Sequence, residues 1–184
     1  VPVVIEQKVT GQEAFAGYRT LVRRFGAIAP GPYAARRLMT PPSAAEWRAI
    51  PSWAWRQASV DAARSDAIMR ALQSAQRVEA LAEKAPSDGR RALMSIPGIG
   101  VWTAAEVAQR ALGDADAVSF GAYHVAKDIG YALTGKEVDD DALAELLEPY
   151  AGHRFRVQAL LSLTGIHRPR RGPRLPRRPV QHRR

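Results

Sequence analysis

Apolar residues recur at helical spacing along most of the chain. Phe15, Tyr18, Leu21, Val22 and Phe25 mark one stripe; Thr10 opens it, Glu13 stands at capping-box spacing, and Gly26 closes it. These aromatics are expected in a core rather than on a binding surface. Residues 27–33, with Pro30 and Pro32, read as loop. Ser43 and Glu46 repeat the box and open a short helix over Ala44–Ile50, which Pro51-Ser52 breaks. A longer helix is expected over Asp61–Gln73, with Ala63, Ile68 and Leu72 buried, and a short one over Val78–Leu81. Four more follow: Arg90 to about Ile96, capped by Ser87-Asp88; Thr103–Leu112; Tyr123–Leu133, stopped by Gly135; and Ala142–Leu147 behind Asp139 or Asp140. Arg154–Leu163 is the last. No stretch alternates convincingly as strand and no repeat is detectable, so the fold class is all-α.

The most distinctive stretch runs from Ala92 to Ala105. Leu93 and Ile96 share an apolar stripe. Pro97 lacks an N–H and disfavours helix in the residue before it, so the first helix should stop near Ile96. Gly98 and Gly100 permit conformations and approaches that a Cβ blocks. A good helix then resumes. Such a turn presents N–H groups at a helix N-terminus, where a phosphate is favoured. The plainer alternative is an ordinary helical hairpin closed by Pro-Gly.

Composition narrows the classes. The 184 residues make one domain or two small lobes, and 46% hydrophobic content is enough for a packed core. There is no cysteine, which excludes disulfides, a thiol nucleophile and a cysteine-ligated zinc or iron–sulfur cluster. The four histidines have no metal-ligand spacing. No apolar run approaches membrane-spanning length and no signal peptide is visible, so a cytoplasmic protein is expected, nucleoid-associated if bacterial. Of the net charge of +9, eight units come from arginines between Arg168 and Arg184, a stretch without acids. The body is close to neutral. Residues 167–184 therefore read as a basic tail that adds salt-sensitive attraction to phosphate, or as a solvated terminus.

Ile96-Pro97-Gly98-Ile99-Gly100 followed by Trp102-Thr103-Ala104 resembles the hairpin of the helix–hairpin–helix DNA glycosylases, in their alkylpurine (3-methyladenine) branch. The resemblance runs from about Ile5 to about Pro176. It implies two helical lobes around a DNA cleft, within a domain over residues 1–166. Helices near 44–73 and 90–112 would build one lobe, and the N- and C-terminal helices the other. The family's N-terminal lobe would be absent, since the chain starts at Val1 without methionine. The implied activity is flipping out and hydrolysing alkylated purines, with double-stranded DNA carrying damaged bases as partner, acting as a monomer.

Residue roles follow from the same resemblance. Gly98, Ile99, Gly100 and Thr103 would meet a DNA phosphate, and Lys8 falls where a side chain fills the gap left by an extruded base. The main-chain carbonyls of Met94, Ile96 and Ile99 would hold a monovalent cation, Na⁺ or K⁺; no other cofactor is required. Trp102, Phe120 and Tyr123 would line the base pocket, the indole stacking on an electron-poor alkylated ring. Core packing is the plainer role for Trp102. Members that cleave the strand carry a lysine at that position for a Schiff base; tryptophan implies hydrolysis without strand cleavage. The family's catalytic aspartate maps to Ala122, inside Ser119-Phe120-Gly121-Ala122-Tyr123-His124. Three readings remain open. The aspartate was replaced to trap a complex; the chain is a natural DNA-binding relative without activity; or another acid serves. Glu106, one helical turn after Trp102, leads the last group, with Asp116 and Asp128 behind it. His124 reads as a ligand, a phosphate contact or a core histidine, and receives no catalytic role. The competing class is a DNA-binding module that uses the hairpin for grip alone.

Overall fold

A computed structural model describes residues 1–166 together with Arg168 and Pro169. The described chain is helical apart from one minimal ribbon, and it divides into two compact units. The first holds residues 1–78 and the three residues Ile96–Gly98. The second holds Glu79–Ser95 and the described chain from Ile99 onward.

In the first unit, α1 (Pro2–Ile5) buries Val3, Val4 and Ile5. The capping box that opens α2 (Gly11–Phe25) forms as its spacing predicts. Glu13 N–H donates to Thr10 Oγ1 at 3.3 Å, and Thr10 N–H donates to the Glu13 carboxylate at 2.9 Å. The buried face of α2 is Ala14, Gly17, Leu21 and Val22. Phe15 is 59% exposed, contrary to the expectation that the aromatics form core. The small residues turn the helix toward its neighbours instead: a Cβ on Gly17 would come within 2.6 Å of the Ala58 carbonyl oxygen. Tyr18 does join a stack, with Trp47 at 6.2 Å and Trp55 a further 5.6 Å from Trp47. Each such pair adds about 0.5–1.5 kcal/mol beyond its buried area. The stretch read as loop carries β1 (Ala27–Ile28), antiparallel to β2 (Met39–Thr40), with a 3₁₀ turn over Gly31–Arg36 between them.

Ser43 and Glu46 cap α3 (Ala44–Ala49), and α4 (Ser52–Gln57) buries Ala54 and Trp55. Asp61 caps α5 (Ala62–Gln73). The buried face of α5 is Arg64, Ala67, Ile68 and Leu72; Ala63, expected inside, is exposed. Arg64 explains the phase. Its buried guanidinium donates to the Ile5 carbonyl at 2.8 Å, the Ser59 carbonyl at 2.9 Å and the Asp61 carboxylate at 3.1 Å. A charge held inside in this way ties α1 to α5. Helix α6 (Ala75–Glu79) ends the continuous part of this unit.

The second unit starts with a 3₁₀ turn and α7 (Pro86–Leu93). Ser87 and Asp88 do not cap α7: Ala85 is the N-cap and Pro86 takes the first turn, where its missing N–H costs nothing. Asp88 pairs with Arg91 instead. The helix ends at Leu93, three residues before the expected stop. Helix α8 (Val101–Val107) begins two residues early and widens into a π turn over Ala108–Leu112. Then come α9 (Val125–Thr134), α10 (Asp140–Leu146, capped by Asp139) and α11 (Arg154–Leu163). Leu143 and Leu147 are fully buried among Val118, Ala126 and Ile129, and a smaller cluster joins Ala105, Ala108 and Ala117.

The expected division of helices between lobes is therefore corrected. The N-terminal helices belong with 44–73, through Arg64 and the α1–α5 packing. Residues 90–95 and 99–112 belong with the C-terminal helices, through α7 and a buried polar network that joins α8 to α11. Among the described residues no helix is long and apolar enough to cross a membrane. The expected tail lies outside the described residues, apart from Arg168 and Pro169.

Candidate nucleic-acid and base-excision site

The hairpin turn is anchored through its carbonyls. Gly98 holds φ +94°, and a Cβ there would meet the Ala67 methyl at 2.6 Å, so this position requires glycine. The Pro97 carbonyl accepts from the Arg70 guanidinium at 3.0 Å, and the Gly98 carbonyl from the Gln7 side-chain amide at 2.9 Å. No peptide bond is cis. In a trans peptide the N–H points opposite to its carbonyl, so the Gly98 and Ile99 N–H groups turn away from Arg70 and Gln7. Gly100 behaves differently from the expectation: it is extended at φ −90° with nothing near its Cβ position, so neither strain nor crowding demands glycine there. Gly98, Gly100 and Val101 are exposed, while Ile99 and Thr103 are buried. Lys8 is exposed in the left-handed region at φ 56°, one residue after Gln7.

The stretch around residue 122 belongs to the second unit. Trp102 is half-buried on α8, so it is not simply core. Gly121, at φ +82°, places its Cβ position 4.0 Å from the Trp102 Cβ. Ala122 is half-buried and its N–H donates to the Ser119 carbonyl at 3.3 Å, closing a turn. The turn is held at both ends. Gly121 N–H donates to the Asp140 carboxylate at 2.7 Å. Ser119 is fully buried; its N–H donates to Gln158 at 3.2 Å and its hydroxyl donates to Glu106. The same hydroxyl accepts from the Gln109 amide at 2.8 Å.

The carboxylates named from the sequence are each committed. Glu106 is buried between Ser119 and Arg110. Asp116 accepts from the Gly152 and Arg154 N–H groups and pairs with the Arg154 guanidinium at 2.6 Å. Glu148 and Asp116 hold that guanidinium more firmly protonated than a free arginine. Asp128 pairs with Arg168 at 2.8 Å. Phe120 packs on the core cluster of Val118, Leu143 and Leu147. Tyr123 is 71% exposed, with the Lys127 ammonium 4.4 Å from its ring centre and His124 against it edge-on. His124 is exposed and meets Arg168 at 2.9 Å, so it is no core histidine. Among the described residues no cluster of three metal-ligating side chains forms. Gln7, Arg70, Asp140 and Gln158 carry these anchors, and no local sequence signal points to any of them.

No protein-family model and no curated protein matches the sequence. Solved structures do. The 3-methyladenine DNA glycosylase from Archaeoglobus fulgidus aligns with 87% of this chain at TM-score 0.73 and 19% identity. MBOgg1 in complex with a low-affinity DNA ligand aligns over the same share at 0.70 and 18%. The Clostridium acetobutylicum 8-oxoguanine glycosylase/lyase, in complex with duplex DNA, aligns at 0.66 and 9%. The chain spans 54–56% of the length of these structures. It has the helix–hairpin–helix DNA glycosylase fold, as its sequence motifs led us to expect.

Proposed function

We propose that the chain handles damaged double-stranded DNA as a monofunctional glycosylase for alkylated purines, and that Ala122 leaves it strongly impaired in hydrolysis. The observation that carries this reading is the turn at Gly121-Ala122 set against Trp102, in a chain of this fold. Excision breaks the C1′–N bond; the electron pair leaves with the base and the sugar becomes oxocarbenium-like. A carboxylate at residue 122 would stabilise that cation and activate water. Losing one such preorganised group costs about 10²–10³ in rate. Tryptophan at 102 offers no amine for a Schiff base, so the product is an abasic site with an uncut strand.

In the same reading, the Gly98 and Ile99 amides, with Gly100 and Thr103 beside them, take a strand phosphate, and Lys8 enters the gap beside the flipped nucleotide. The carbonyls of Met94, Ile96 and Ile99 are uncharged hard oxygens, the donor chemistry that Na⁺ or K⁺ takes. The neighbouring Pro97 and Gly98 carbonyls are used by Arg70 and Gln7 and stand outside that set. No other cofactor is called for. The protein works as a cytoplasmic monomer.

The test compares base release from alkylated duplex by this chain and by Ala122→Asp. Release at least 100-fold faster in the variant supports the reading; equal, measurable release in both removes residue 122 from the site. A second reading, a binding module without catalysis, is favoured by the missing carboxylate itself. It predicts no release by either protein and no preference for damaged over intact duplex.

A further inference from the structure

Ala122 leaves the turn beside Trp102 without a negative charge, and the three acids that the sequence offers as substitutes are neutralised by arginines: Glu106 by Arg110, Asp116 by Arg154 and Asp128 by Arg168. Asp140 differs. Its Oδ2 accepts from the Gly121 N–H at 2.7 Å, and among the described residues no cation pairs with it. The neighbouring Asp139 is spent on capping α10 through the Ala142 N–H at 2.9 Å. A backbone nitrogen lies at most about 5 Å from the next α-carbon, which puts the Asp140 carboxylate within about 8 Å of the Ala122 α-carbon. It is half-buried, on the backbone that carries the vacant catalytic position.

We infer that Asp140 is the carboxylate that serves this site in place of a side-chain acid at residue 122. The inference rests on the glycosylase reading above. When the C1′–N bond breaks, both electrons leave with the base and the sugar carries the positive charge. The unneutralised Asp140 carboxylate stabilises that charge through space. Water adds to C1′, and its proton passes to Asp140 and then to solvent. No oxidant or further reactant is needed.

The charge and the hydrogen bond separate experimentally. Asp140→Asn keeps an oxygen that accepts from Gly121 and loses the charge; Asp140→Glu keeps the charge. Single-turnover release of alkylated base is measured for the chain as it stands, both variants and the neighbouring Asp141→Asn, with duplex affinity and melting temperature alongside. We expect slow release by the parent, at least tenfold slower release by Asp140→Asn at unchanged affinity and melting, recovery in Asp140→Glu, and no change in Asp141→Asn. Equal release by the parent and Asp140→Asn overturns the inference. So does a parent without release, and if Ala122→Asp is then active the glycosylase reading survives alone. No release by any of these proteins, with no preference for damaged duplex, overturns both.

Discussion

Gly98 and Ala67 stand so close that one added methyl at Gly98 would sit 2.6 Å from the Ala67 methyl, at a residue already holding φ +94°. Gly100, two residues later, has open space and an ordinary extended backbone. Gly98→Ala is therefore expected to destabilise the protein by about 2–3 kcal/mol, from left-handed strain plus the clash. Gly100→Ala should fall within about 0.5 kcal/mol of the parent. Urea unfolding of both variants checks the contrast. A comparable loss in both would mean that the turn is not shaped by its contact with α5.

Ser119 is the second point of strain on substitution. Its hydroxyl donates to Glu106 and accepts from Gln109 while its N–H is held by Gln158. Ser119→Ala leaves a buried Glu106 carboxylate oxygen without its donor, which costs about 1–3 kcal/mol, while the Gln109 amide keeps the Ala117 carbonyl. Glu106→Leu removes the acceptor of the same hydroxyl, so the two effects should not add. A double-mutant cycle is expected to show coupling of about 1 kcal/mol or more in thermal unfolding. Strict additivity would show that the network is not cooperative.

Glu46 offers a test by pH. Hydrogen bonds from the Ser43 backbone and side chain hold its carboxyl below the ordinary glutamate value of 4.5. A depressed folded-state value means that the capping contribution is present above the unfolded value and disappears as pH falls through the folded one. The Glu46 carboxyl should titrate below 4.5 by NMR, and α3 should fray only under more acidic conditions than that. Ser43→Ala should bring the midpoint back toward the ordinary value.

What the sequence made legible was local. Thr10 with Glu13, Ser43 with Glu46, and Asp139 each satisfy backbone groups within three residues, so spacing alone finds them. Gly135 ends α9 in the left-handed conformation that its position suggests. Long-range partners were not legible. Arg64 reads as one more surface arginine until Ile5 and Ser59 supply its acceptors, and that contact decides which helices belong together. Ala63 and Ala67 differ only in phase, which packing sets. In the candidate site, Trp102, the glycine turn and the alanine at residue 122 stood out from the sequence. Asp140 did not, because it meets Gly121 across 19 residues and no motif encodes that reach.

The threading of the backbone limits how the molecule can be dissected. The chain quits its first unit at Val78, comes back for Ile96–Gly98 and departs again. A fragment stopping at Val78 would be a body deprived of its own three-residue insert, leaving the Gln7 amide and the Arg70 guanidinium without the acceptors they use in the intact protein. The remaining piece would carry that insert with nothing to receive it. Complementation by co-expressed halves, rather than trimming, is the way to divide this protein.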